Sequence, residues 1–95
     1  MQYRQSTDRE TVGKLVQEIL DTIRKPYTED IVDRVFLAIE RNPKRLRRYK
    51  RFTKIYGILL NSQIGGLVRQ LTGMRNSTEH GKAKSSLIRK YMLLK

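Results

Sequence analysis

The sequence predicts an all-α fold, a single compact domain of four to five helices covering residues 1–95. Three observations lead there. Apolar residues recur at helical spacing, i, i+3, i+4, i+7, in successive segments, where a strand would alternate. Helix start and stop signals separate those segments. The composition, 38% hydrophobic with no cysteine, allows a modest core without disulfide support.

The elements follow in order. Thr7-Asp8-Arg9-Glu10 has the form of a capping box, with Thr7 as N-cap and Glu10 reaching back. Val12, Leu15, Val16, Ile19, Leu20 and Ile23 then form one amphipathic stripe, ended by Pro26. Thr28 is expected to cap a second helix, with Glu29 and Asp30 at the positive end of its dipole. Ile31, Val32, Val35, Phe36 and Ile39 are its buried face. Asn42-Pro43 stops that helix and starts the next, because proline suits a first helical position.

A third helix is expected from about Lys44 to Leu60. Leu46, Tyr49, Phe52, Thr53, Tyr56, Leu59 and Leu60 share its apolar arc. Asn61 or Ser62 caps a short fourth helix that turns Ile64, Leu67, Val68 and Leu71 inward and closes at Gly73. Residues 74–84 read as a loop. Ser86 then caps a last helix with Leu87, Ile88, Tyr91 and Leu94 inward. Its rival is a strand that returns from residues 74–76 across a turn at Gly81 and makes a β wing.

Charge is distributed unevenly along this framework. The chain has 21 Lys and Arg against nine Asp and Glu, a formal net charge of +12. Residues 1–40 hold six basic and eight acidic side chains, whereas residues 41–95 hold fifteen basic side chains and one acid, Glu79. Self-repulsion of that size disfavours a compact state, and a polyanionic partner is the usual reason to tolerate it. The chain therefore divides into an acidic helical framework and a basic half suited to nucleic acid.

Arg47, Lys50, Arg51 and Lys54 lie on one side of the third helix, opposite its apolar arc. They span two turns, roughly 10 Å at 1.5 Å per residue, the reach needed to meet adjacent phosphates. Arg41, Arg45 and Arg48 widen the patch at the helix start. A plain solvated face is the alternative, but such faces mix signs because like charges at i, i+4 cost stability. Tyr49, Phe52 and Tyr56 interleave with the cations. Their place on the apolar arc favours core packing over base stacking.

With Ile64, Leu67, Val68 and Leu71 turned inward, the fourth helix presents Ser62, Gly65, Gly66, Arg69 and Gln70. This helix, turn and helix resembles the helix-turn-helix of small basic DNA-binding proteins. The resemblance implies that Arg69 reads guanine and Gln70 reads adenine. Gly65 and Gly66, each costing about 1 kcal/mol of helix propensity, imply a close approach to phosphate or to a neighbouring helix. The pattern departs from the family where a small residue and a turn glycine are wanted. Lys54 and Ile58 stand there. In the following loop Arg75, Lys82 and Lys84 are candidate backbone contacts, and His80 beside Glu79 is an exposed histidine without a required role.

Other chemistry is hard to assemble. The absence of cysteine and the single histidine leave no thiolate or imidazole metal cluster. Glu29, Asp30 and Asp33 lack the spacing of a calcium loop, and Ser62 has no histidine base nearby in sequence. No enzyme, cofactor or small-molecule substrate is expected. The opening residues have no apolar leader stretch, the longest apolar run (Ile58 to Leu60) is far too short to span a bilayer, and a cytoplasmic location is expected. The expected partner is DNA, bound by a small transcriptional or replication regulator. Structured RNA and an acidic protein partner are the alternatives. The apolar stripe of the first helix is a candidate homodimer surface, although one core-facing stripe explains the same residues.

Overall fold

In the computed structural model, residues 11–74 and 84–87 are described, and no strand occurs among them. Four helices are defined: α1 (Val12–Leu20), α2 (Ile31–Glu40), α3 (Pro43–Tyr56) and α4 (Leu59–Thr72). The chain is all-α. The capping box at Thr7 lies outside the described residues. α1 begins instead at Thr11, whose hydroxyl accepts the Lys14 amide at 3.3 Å. Val12, Leu15, Val16, Ile19 and Leu20 are all buried, as their spacing predicts.

α1 stops five residues before Pro26 is reached. Beyond Leu20 the amides of Thr22 and Ile23 turn back only three residues, to the carbonyls of Ile19 and Leu20. The Thr22 hydroxyl also donates to the Ile19 carbonyl, a local bond of the kind that competes with helix continuation. Ile23, expected as the last residue of the stripe, packs partly buried from the connecting segment. The Lys25-Pro26 peptide bond is cis.

α2 corrects the expected start by two residues. Thr28 does not cap it. Its hydroxyl donates to the Asp30 carboxylate, while Asp30 occupies the N-cap position without a side-chain cap bond and pairs with Arg34 at 3.6 Å. The predicted buried face, Ile31, Val32, Val35, Phe36 and Ile39, is the observed one. Asn42 caps α3 as expected, its Oδ1 accepting the Lys44 and Arg45 amides at 3.0 and 3.1 Å, with Pro43 in the first turn.

α3 ends at Tyr56, four residues short of the expected Leu60. Gly57 takes φ 62 and ψ −139, a conformation only glycine adopts at little cost, and breaks the helix there. Leu59 and Leu60 therefore open α4 rather than close α3. Leu60 is buried, but Leu59 leaves the predicted arc and is exposed. Asn61 and Ser62, expected as caps, lie inside α4. Gly73 closes α4 at φ 72, as predicted.

α1 packs against α4 and α2, and α2 also contacts α3 and α4, which touch each other. Burying these faces gives one core, with Leu15, Val16, Ile19, Ile31, Val35, Ile39, Ile64 and Val68 all wholly enclosed. The α1 stripe lies inside this core, so core packing accounts for its apolar residues. Ser86 and Leu87 are helical in backbone, so this helical stretch begins one residue earlier than expected: Ser85 rather than Ser86 sits at the cap, its hydroxyl accepting the Leu87 amide at 3.2 Å. Of the alternative wing, Met74 and residues 84–87 are described and none of them is in a strand, while residues 75–83 and 88–95 lie outside the described part of the chain.

Candidate nucleic-acid interface

α3 arranges its cations by simple periodicity. Lys44, Arg47, Arg48, Lys50, Arg51 and Lys54 line one open groove, and every lining residue is basic. Lys44, Arg47, Lys50, Arg51 and Lys54 are exposed, while Arg45 and Arg48 are half-buried. Opposite them Tyr49 and Phe52 enter the core, and Tyr56 packs partly buried with its ring 6.3 Å from that of Phe52. The aromatics interleaved with the basic run are core residues.

Arg48, one of the predicted cations, has a structural partner on α1. Arg48 Nη1 lies 2.6 Å from Glu18 Oε2, tying the acidic α1 to the basic α3. The arginine side chain is 23% exposed and the glutamate 42%, so the bond is partly shielded. Arg48 is thus held in place.

The outer face of α4 differs from the expected one. Ser62, Arg69 and Gln70 are exposed, but Gly65 is buried and does not belong to it. A Cβ on Gly65 would meet only Arg69 Nη1, at 3.9 Å, and one on Gly66 would meet nothing within 4 Å. Neither glycine is demanded by a neighbouring helix. Gln63, not singled out in the sequence, and Leu59, expected on the apolar arc of the third helix, complete the exposed side. The i, i+3, i+4 spacing from Leu59 through Ser62 and Gln63 to Gly66 was the signal for them. It is hidden once α3 is extended to Leu60. Leu71, expected inside, is 46% exposed at the end of α4.

The α3–α4 turn is made by Gly57, one residue before the Ile58 position, so the departure from the helix-turn-helix pattern noted in the sequence stands. Arg75 and Lys82 lie outside the described residues, as do Glu79 and His80. Lys84 is exposed, but its amide is engaged: it donates to Asp33 Oδ2 at 2.9 Å.

That bond belongs to a clamp which sequence reasoning missed. Asp33, only 4% exposed, also accepts the Ser85 amide through Oδ1 at 2.9 Å. One helical heptad later, Glu40 Oε1 accepts the Ser86 amide at 2.8 Å and the hydroxyls of Ser85 and Ser86 at 3.0 and 2.7 Å. These bonds, that from the Ser86 hydroxyl foremost, hold the Glu40 carboxyl below its ordinary range against a smaller opposing effect of burial. Asn61 completes the anchorage: its Oδ1 accepts the Tyr49 hydroxyl at 2.6 Å and its Nδ2 donates to the Leu87 carbonyl at 3.0 Å. Burial pushes the Tyr49 phenol above its usual value. The acids of α2 therefore act as internal acceptors for the segment that follows the basic loop.

No family model, curated protein or solved structure matches the chain. The candidate interface rests on its own geometry. Among the described residues no group of three or more metal-ligating side chains occurs, and no helix is long and apolar enough to cross a membrane. What the α3 groove offers is a row of positive charge.

Proposed function

We propose that this chain is a nucleic-acid-binding protein whose ligand is duplex DNA, acting as a small non-enzymatic regulator. α3 grips phosphates through Arg47, Lys50, Arg51 and Lys54, supported by Lys44 and Arg45. The outer face of α4, with Ser62, Gln63, Arg69 and Gln70, meets the bases. The observation that carries the reading is the α3 groove, whose whole lining is cationic and whose helix contains no acidic residue. Facing side chains of one sign repel each other in the free protein, and neutralising phosphates relieves that repulsion while releasing condensed counterions.

Duplex DNA is favoured over an acidic protein because the cations follow one helix at near-regular spacing, a match to a repeating phosphate backbone. It is favoured over RNA because α4 follows a tight glycine turn and presents amide and guanidinium groups able to reach base edges. The test is fluorescence-anisotropy binding to a DNA duplex and to an RNA hairpin across a salt series. Neutralising four phosphates gives a log–log slope of roughly −3.6 on B-DNA. Duplex preference with that steepness supports the proposal, and Arg69→Ala with Gln70→Ala should then flatten sequence preference while sparing nonspecific affinity. Preference for the hairpin transfers the surface to structured RNA. No binding to either near physiological salt removes nucleic acid as the ligand.

A further inference from the structure

Cations are not the only side chains on the α3 surface. Ile55 is 67% exposed, Ile58 64% and Leu59 61%, three large aliphatic residues within five positions. Single exposed apolar residues need no explanation, but a contiguous group marks a contact surface. This group sits where the two candidate binding helices join. Ile55 lies one turn beyond Arg51 and two beyond Arg48, on the basic side of α3. Gly57 turns the chain, and Ile58 and Leu59 lead into the exposed side of α4. Lys54 and Arg51 flank the corner, and the described residues that follow in α4 include no acid.

The occupant must be apolar where it touches the three aliphatics and anionic around them. A second copy of this corner fails, because a two-fold contact would set Arg51 and Lys54 against their own equivalents. A base step within a phosphate backbone meets both demands. Aliphatic side chains contact thymine methyl groups or press against base steps in many DNA complexes.

We infer that Ile55, Ile58 and Leu59 form an apolar wedge that contacts the bases of the duplex gripped by α3. The inference rests on the DNA-binding reading above and adds the residues that supply its salt-independent affinity. Phosphate contacts set the salt slope of binding, whereas apolar base contacts shift affinity equally at every salt concentration. The two contributions are therefore separable in one experiment.

The experiment compares the wild-type chain with the Ile55→Ser/Ile58→Ser/Leu59→Ser variant and with Arg47→Ala/Arg51→Ala on a mixed-sequence 20-base-pair duplex. Vesicles of phosphatidylserine and phosphatidylcholine are run in parallel. The serine variant is expected to bind roughly tenfold more weakly at every salt concentration with an unchanged slope, while the arginine variant loses slope. Equal binding by wild type and serine variant overturns the wedge and leaves the DNA reading standing. A wild-type chain that does not bind the duplex overturns both. Vesicle binding that the serine substitutions abolish, with duplex affinity intact, assigns the corner to an anionic lipid surface instead. Ile55→Ser and Leu59→Ser, read singly against the melting temperature, carry the test should the triple variant unfold.

Discussion

Asp33 shows how far a single side chain can differ from its sequence context. It follows Glu29 and Asp30 and reads as one more helix-start acid, yet it is buried and accepts two backbone amides fifty residues downstream. Asp33→Asn would turn an amide NH2 toward one of those donors and leave a buried N–H unsatisfied. A loss of about 1–3 kcal/mol is expected in urea unfolding, and an unchanged midpoint would mean that residues 84–87 do not dock there. Glu40 makes a pH prediction. Its folded pKa is lowered, so the stabilisation is fully present above the ordinary glutamate value of ~4.3 and is lost as pH falls through the lower, folded value. Amide exchange at Ser86 should accelerate below that range in the wild type, and Glu40→Gln should blunt the dependence. Tyr49, Asn61 and the Leu87 carbonyl form a chain of bonds in which Asn61 is the shared member, so Asn61→Ala should cost more than Tyr49→Phe.

At the scale of the element, the glycines separate fold from function. Gly57→Ala puts a Cβ on a residue with φ 62 and ψ −139, and a destabilisation of about 1–3 kcal/mol is expected although no atom lies within 4 Å. Gly66→Ala has the opposite sign. It sits mid-helix in open space, so alanine should stabilise the free protein by up to about 1 kcal/mol. If Gly66→Ala melts higher and binds the duplex more weakly, a close approach by the ligand backbone is the reason for glycine there. If it melts higher and binds equally well, the position carries no ligand contact. The same helices show why boundaries are harder to read than faces. The core faces of α1 and α2 were legible because their stripes are uninterrupted. The α3–α4 break was not, because Gly57 lies between Tyr56 and Leu60, which continue one apolar arc at helical spacing.

At the scale of the whole molecule, the framework carrying the acids and the helix carrying the cations pack against one another. Glu18 and Arg48 are one point of contact between them. The remaining positive charge on α3 is gathered on one open face, so self-repulsion should be relieved by screening. Raising ionic strength from a few millimolar to about 0.15 M should lift the melting temperature by a few degrees. Substituting Arg47 and Lys50 with glutamine should give part of the same gain without salt. A melting temperature insensitive to salt would show that the groove is not electrostatically strained.

Helical periodicity, the Asn42-Pro43 junction, the Gly73 stop and the charge division were properties of the sequence by itself, because each depends on residues near one another along the chain. That locality made the all-α class, most of the core and the cationic face of α3 readable. Tertiary structure decided the rest. It drew Arg48 to Glu18, folded Asp33 and Glu40 onto Ser85 and Ser86, and buried Asn61 between Tyr49 and Leu87. It also left Ile55, Ile58 and Leu59 outside the core. The physical reason is that a carboxylate or an isoleucine has the same local preferences whether it faces water or another helix. Only the packing of distant segments determines which groups lose their solvent and which keep it.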